Sequence, residues 1–264
     1  MSISDAERLK ALVSRRVPPL GGFNLTFLYL EMRRLVRNRR TVILTLVMPI
    51  ALFFLFRSSR RLGGANTAEL TASTMIGIGV YGAMLAATAG GALVSVERAL
   101  GWSRQLRLTP LRPVAYIAIK LLNAMLLGLV SVALVYAAGV IDGVHMSTQT
   151  WVLTGVLAWA AALVFASFGL FIGYLMPSEN VMQVIGPVLA VFALVGGLFI
   201  PIRLLPTTIQ DVAPYMPPYG VAQIARFPLV GGSFDVTWIL SLVLWTAAFS
   251  AGAMYLFRRD TRRT

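Results

Sequence analysis

Six stretches of this chain carry no charged residue over most or all of a bilayer's thickness, and they fix the class of fold. They run from Thr41 to Phe56, Leu70 to Val96, Leu121 to Ile141, Gly143 to Ser178, Asn180 to Ile202 and Val236 to Phe257. An ionised group at mid-bilayer costs roughly 2.5–3.5 kcal/mol even on lenient insertion scales, so charges mark boundaries well. A helix needs about 20 residues, at 1.5 Å each, to cross a core of about 30 Å. The expected spans are therefore about 41–57, 72–96, 114–141, 151–176, 180–200 and 236–257. The first is the shortest: its 16 uncharged residues cover only about 24 Å. It needs Val36 below, or Arg39, Arg40 and Arg57 reaching out to the interfaces. Backbone in lipid must satisfy its own hydrogen bonds, and long unbroken runs do not resemble the alternating strands of a barrel. The expected fold is an all-α integral membrane protein with six transmembrane helices.

Of the 264 residues, 58% are hydrophobic and 12% charged, against about 45–50% and 25% in an ordinary soluble domain, which excludes a water-soluble globular protein. The net charge of +13 does not indicate nucleic acid, because such binders carry cations on a polar surface rather than between apolar runs. Residues 1–40 hold nine Lys and Arg, the segment from Arg98 to Lys120 five, and the 258–264 tail four, whereas the other face has only Arg57, Arg60, Arg61, Arg203 and Arg226. Eighteen against five predicts both termini in the cytoplasm of a multi-pass protein of the bacterial cytoplasmic (inner) membrane. No apolar stretch with a cleavage site occupies the first 40 residues, so no removed signal peptide is expected. Leu25, Leu28, Met32 and Leu35 recur at three- or four-residue spacing, with Arg33, Arg34, Arg37 and Arg40 on other faces. That reads as an amphipathic helix on anionic lipid at the cytoplasmic surface, or equally as a polybasic orientation signal.

The residue inventory removes most chemistry. There is no cysteine, and His145 is the single histidine. With Asp142 it makes two ligands in a short loop, too few for a metal site. A phosphate-binding loop needs a lysine after a glycine, and neither Lys10 nor Lys120 has that context. The chain is therefore expected to be no enzyme and to hold no cofactor. Ser167 in Phe165-Ala166-Ser167-Phe168-Gly169 lacks the nucleophile-elbow glycine. No Asp, Glu, Arg or His falls in mid-span, and Lys120, near the cytoplasmic start of the third, can snorkel. Ion-coupled carriers usually place ionisable groups or broken helices at mid-membrane, so the energy for any uphill step is expected from a partner. Asp211 with Arg203 reads as a local polar contact, and Glu179 as a cap for the fifth helix.

Gly79, Ala83, Ala87 and Gly91 repeat every four residues in the second span, a stripe on which another helix can approach closely. Packing within the subunit and an interface with a second copy both fit. Gly169 and Gly173 form a single GxxxG, and Gly186, Pro187, Gly196 and Gly197 predict a kink in the fifth span.

Two motifs remain. The short loop 97–113 contains Glu97, Arg98, Gly101, Trp102, Arg104, Gln105, Leu106, Arg107, Thr109, Pro110 and Leu111, suited to a helical turn or two ending at Pro110. After the fifth span come Gly197, Phe199, Pro201, Leu205, Pro206, Asp211, Pro214, Pro217, Pro218, Tyr219, Arg226 and Pro228. Too apolar for an exposed loop and too rich in proline for one helix, the segment 199–230 reads as short broken helices re-entering the outer leaflet before the last span.

Together the motifs, their order and the six spans resemble the permease subunits of the ABC type-2 exporter family, which includes daunorubicin-resistance-like drug pumps and polysaccharide exporters. The resemblance implies a coupling segment of Glu97, Arg98, Gly101, Trp102, Arg104, Gln105 and Leu106 against a separate ATP-binding-cassette ATPase, which would bind ATP and Mg. It also implies a gate of Gly197, Phe199, Pro201, Leu205, Pro206 and Pro214, and a second permease copy, identical or related. A path between the second and fifth spans would carry a hydrophobic or amphiphilic drug, antibiotic, lipid or glycan-lipid. Met75, Tyr81, Met84, Gln183, Phe192 and Phe199 are its candidate lining, though each also reads as plain packing. The alternative is a membrane assembly or lipid-handling protein using the same fold without a pump cycle.

Overall fold

The computed structural model describes residues 29–30, 32–34, 37, 39–62, 68–101 and 113–263. Helix α1 (Arg39–Val42) leads through a π turn, Ile43–Val47, into α2 (Met48–Leu62). Then follow α3 (Ala68–Ala92), α4 (Val94–Ala99), α5 (Pro113–Ile141), α6 (Thr148–Ala161), α7 (Leu163–Leu175) and α8 (Ser178–Val195). After a 3-10 turn at Ile202–Leu204 come α9 (Thr207–Val212), a second at Ala213–Tyr215, α10 (Pro217–Val230) and α11 (Val236–Arg263). Among the described residues no strand occurs.

Five helical stretches are long and apolar enough to cross a membrane: Ala68–Ala99, Val114–Ile141, Thr148–Leu175, Ser178–Val195 and Val236–Arg259. The chain is a multi-pass, all-α membrane protein. The first expected span is helical, but its apolar part, Thr45–Ser58, is shorter. Pro49 has no N–H to give the carbonyl of Thr45, and the helix widens into its π turn just there. The Ser131 hydroxyl of α5 donates to that carbonyl at 2.9 Å, so the freed group is satisfied from a neighbouring helix as lipid requires.

Described residues in and before this stretch make contacts at both ends of the bundle. At one end Arg34 pairs with Glu97 just beyond α3; at the other Arg57 pairs with Asp142, just beyond α5. Phe257 of α11 meets Tyr116 and Tyr174 at the Glu97 end. Leu25, Leu28 and Leu35 of the expected interfacial helix lie outside the described residues. Residues 29–30, 32–34 and 37 are helical, with Tyr29 and Leu30 exposed.

Helix α3 is the centre of the molecule. In its most apolar window 83% of residues are buried inside the chain, against 6% for α11, which leaves α11 facing outward. Small residues let its neighbours close in. A Cβ on Gly79 would sit 3.0 Å from the Tyr136 ring of α5, and Gly128 of the same helix approaches Ala83. A Cβ on Gly91 would strike Ala166, Gly169 and Leu170 of α7. Gly169 and Gly173 return the contact, against Thr88 and Ala92. Ala83 and Ala87 are wholly buried. The four-residue stripe is thus packed against the chain's own helices. It is not flat: each four-residue step advances about 40° around a helix of 3.6 residues per turn, so Gly79 faces α5 while Gly91 has rotated onto α7.

Three helix ends differ from expectation for local reasons. The fourth run begins at Thr148, where the Ser147 hydroxyl accepts from the Thr150 N–H at 3.1 Å, and it is interrupted once, at Ala162. The fifth stops at Val195 rather than 200. Gly197 takes φ +63°, Leu198 N–H donates to Ala193 O at 2.9 Å and Gly197 N–H to Leu194 O at 3.0 Å. These bonds close a Schellman cap that only glycine enters without strain. The helix continues unbroken through Pro187. The last helix runs on past 257 to Arg263. The Thr237 N–H donates to Asp235 Oδ1 at 2.8 Å, which holds the Asp235 carboxyl below its usual range and starts that helix.

Candidate functional site

Glu97 lies on α4, where the chain leaves the bundle for the loop. Its side chain is 4% exposed. Oε1 accepts from Lys120 Nζ at 2.5 Å and from Arg34 Nη1 at 3.3 Å; Oε2 accepts from the Tyr116 hydroxyl at 2.6 Å. Lys120 does not snorkel. It turns inward, 3% exposed, with its ammonium also 5.4 Å from the centre of the Tyr116 ring. A buried charge is tolerated when paired and hydrogen-bonded, and this carboxylate supplies both conditions. Glu97 therefore holds helices together, its carboxylate engaged by Lys120, Arg34 and Tyr116.

Its neighbour Arg98 fastens the loop to a different helix. Arg98 Nη1 donates to the carbonyls of Gly173 at 3.2 Å and Tyr174 at 2.8 Å, among the last four of α7, which lack helical partners. Its cation also suits the negative end of that helix, and it sits 5.5 Å from the Tyr174 ring centre. Gly101 has φ +73° and its N–H donates to Arg98 O at 3.0 Å, closing α4. Trp102, Arg104, Gln105 and Leu106 lie outside the described residues, as do Arg107, Thr109, Pro110 and Leu111.

At the opposite end the proline-rich segment is a chain of short helices, each begun by proline. Pro201 precedes the first 3-10 turn, Pro206 precedes α9, Pro214 lies in the second turn, and Pro217 and Pro218 open α10. The ring presets φ for a first turn and lacks an N–H that would be unpaired there anyway. Leu205 ends the first 3-10 turn, and its carbonyl accepts from Gln210 at 2.7 Å. Arg203 and Asp211 are both exposed, and no ion pair joins them. Asp142 pairs with Arg57, and among the described residues no group of three or more metal-ligating side chains occurs.

Arg226 of α10 binds this segment to the centre. Its Nη1 donates to Gly197 O at 2.9 Å, Nη2 to Leu198 O at 3.0 Å and Nε to Ser73 O of α3 at 3.3 Å. Gly77 makes room: a Cβ there would collide with the Leu198 carbonyl and the guanidinium. Phe199 stacks on Phe56 of α2 at 5.3 Å and meets Tyr81 of α3 edge-on at 4.8 Å. A cavity of about 160 Å³ opens beside the knot, walled by Thr74, Phe199, Pro201, Arg226, Phe227 and Trp238.

The six candidate lining residues are spread between the core and the surface. Met75 and Met84 are wholly buried, Met75 against Gly139 of α5. Phe192 packs on Phe165 and Phe168, and Gln183 is exposed on α8. Tyr81 and Phe199 meet.

Residues 25–227 match the family model of the ABC-2 type transporter. The chain belongs to the ABC-2 type transporter family. It is also 26% identical over 235 residues to a Bacillus subtilis (strain 168) protein named "Putative transport permease YvfS", an alignment covering 87% of this chain and 95% of that one. The chain is thus the transmembrane permease component of an ABC transporter, and membership implies association with an ATP-binding subunit.

For an ABC-2 permease the two knots fall at opposite ends, beside the loop and beside the proline-rich segment. Sequence reasoning put Arg226 in the proline-rich motif without giving it a role, and did not join Arg34, Tyr116 and Lys120 to Glu97, or Ser73 and Gly77 to Arg226. Arg226 carries a signal in hindsight, as the single charged residue between Asp211 and Asp235. Gly77 carries none, because nothing in the sequence shows which carbonyl it faces.

Proposed function

We propose that this permease is an exporter subunit with six spans, the first being the helical stretch from Arg39 to Leu62, and with both termini in the cytoplasm of a bacterial inner membrane. Two permease copies and two ATPase subunits form the complex, and the ATPases bind ATP and Mg. The loop after α4 engages the ATPase through Arg98, Gly101, Trp102, Arg104, Gln105 and Leu106, and the segment 199–230 is the outer gate. The cargo is a hydrophobic or amphiphilic drug, antibiotic, lipid or glycan-lipid.

The observation that carries this reading is the pairing of Arg34 with Glu97 at one end and Arg57 with Asp142 at the other. It supports a full traverse by the first stretch, and with it an even number of crossings and both termini at the Glu97 end. The excess of Lys and Arg lies at that end, which by the positive-inside rule is cytoplasmic. Export rests on the resemblance of the two motifs to exporter permeases. Purification of the tagged permease in mild detergent tests the proposal. Expected is a co-purifying ATP-binding-cassette subunit whose Mg-ATP hydrolysis rises with members of a drug and lipid panel. Absence of such a subunit overturns it.

A further inference from the structure

The cavity beside the Arg226 knot has walls suited to an anion. Its volume of about 160 Å³ falls well below the roughly 300–1,000 Å³ of a site for a drug-sized molecule. At about 30 Å³ of liquid per water it has room for roughly five waters, the scale of one phosphate group with its four oxygens. A whole amphiphile does not fit, whereas the polar part of a headgroup does.

The lining contains Arg203 and Arg226 and no carboxylate; Glu69 and Asp235, next to its ends in sequence, lie outside it. Arg226 is held by its three carbonyls. The Arg203 guanidinium of the first 3-10 turn makes no hydrogen bond or ion pair among the described residues. The side-chain amide of Gln223 on α10 and the indole N–H of Trp238 on α11 likewise have no hydrogen-bond partner there. Donors from three elements thus border one small space. Their complement is an anion rich in acceptor oxygens, which a guanidinium fork binds in bidentate fashion.

The cavity lies opposite the Glu97 end, where α3 and α11 begin. Trp238 meets Phe227 at 6.3 Å and Phe234 at 5.5 Å, both edge-on, an aromatic cluster of the kind that sits at headgroup level. Gln223, Phe227 and Val230 share one face of α10 at helical spacing. The anions found at that depth in a bilayer are lipid phosphates.

We propose that this cavity binds a phosphate group, supplied by a phospholipid headgroup or free in solution, with Arg203, Gln223 and Trp238 as donors and Arg226 as the second cation. The bound anion ties the first 3-10 turn to α10 and α11. The site needs neither an ATPase subunit nor a direction of transport, so it stands or falls apart from the functional reading above.

Because the chain has no cysteine, Val230→Cys places a single reporter on the cavity wall at a position that is 54% exposed. The full-length permease, delipidated in mild detergent, is mixed with phosphatidylglycerol, with diacylglycerol of the same chains or with inorganic phosphate. The readout is the rate of reaction with a water-soluble thiol reagent. Phosphatidylglycerol is expected to slow it saturably, about five-fold at about four times its Kd, and diacylglycerol not at all. Arg203→Gln, at an exposed position, raises the half-protecting concentration about tenfold or more, the effect of losing a charge-assisted hydrogen bond. Arg203→Lys falls between. Arg259→Gln, at the far end of α11, removes the same charge and leaves protection unchanged. Protection by inorganic phosphate with the same dependence on Arg203 supports the site with free phosphate as a source, and protection by phosphatidylglycerol alone supports it with the lipid as the source. Equal protection by diacylglycerol overturns the inference, since apolar burial would then explain it. Protection indifferent to Arg203→Gln, or weakened equally by Arg259→Gln, also overturns it, as does no protection by any of the three.

Discussion

Lys120 Nζ lies 2.5 Å from Glu97 Oε1 with both side chains out of reach of water, joining the end of the central helix to the start of α5. Removing one member of such a pair leaves the other charged and unsolvated. Lys120→Met is expected to destabilise the permease by about 3–5 kcal/mol, and the double variant Lys120→Met/Glu97→Gln by much less, because it leaves no orphan charge. Thermal unfolding in detergent measures both. A double variant no more stable than Lys120→Met would show that the pair is not the source of the loss.

Arg226 at the other end makes a comparable knot from one cation and three carbonyls. Hydrogen bonds to a charged group are worth about 1.5–3 kcal/mol each, so losing even one raises the population of an opened turn about tenfold or more. Thr74 borders the cavity behind that turn and is 5% exposed. A Thr74→Cys reporter is expected to react slowly with an impermeant thiol reagent applied from outside, and much faster once Arg226→Ala is added. Arg226→Lys should fall between, since an ammonium cannot reproduce the planar fork. Equal rates in all three would mean that Arg226 does not hold the turn shut.

What the sequence made legible follows from which forces are local. Uncharged runs and helix length made the all-α type and five of the six expected long apolar elements legible, and the prolines at 201, 206, 214, 217 and 218 announced a segmented chain. Local caps escaped notice where two readings of one residue compete: Gly196 and Gly197 read as a kink but end α8. Direction escaped altogether. Lys120 sits where snorkelling is open to it, and only the arrival of Glu97 and Tyr116 from elsewhere turns it inward. The Gly79 to Gly91 stripe told that helices approach closely, but not whose.

Since α5 and α7 of the same chain fill that stripe, a bulky residue there should hurt folding before it hurts transport. Ala83→Leu is expected to cost at least about 1–3 kcal/mol by overpacking, seen as a lower unfolding temperature and weaker expression. Gly169→Ala should be similarly harmful, because its Cβ would meet the Thr88 backbone, while Gly186→Ala on α8 meets open space and should be neutral or slightly stabilising. Stable, well-expressed Gly169→Ala protein would contradict the packing described for α3 and α7.

Gly101 offers a cleaner test of the loop than any charged residue. It holds φ +73°, and no described residue lies within 4 Å of the place a Cβ would take, so Gly101→Ala brings backbone strain of about 1–2 kcal/mol and no clash with the bundle. The strain acts where the loop leaves α4, beyond the anchors Glu97 and Arg98. The bundle should therefore unfold at a nearly unchanged temperature while the angle of the departing loop shifts. With the ATPase subunit present, substrate-stimulated hydrolysis is expected to fall in Gly101→Ala, and further in Gly101→Pro, whose ring cannot adopt a positive φ. Trp102→Ala is the companion, removing the largest side chain of the loop without touching the backbone. If all three variants keep full stimulation, this loop is not where hydrolysis is felt, and the ATPase must engage another part of the Glu97 end.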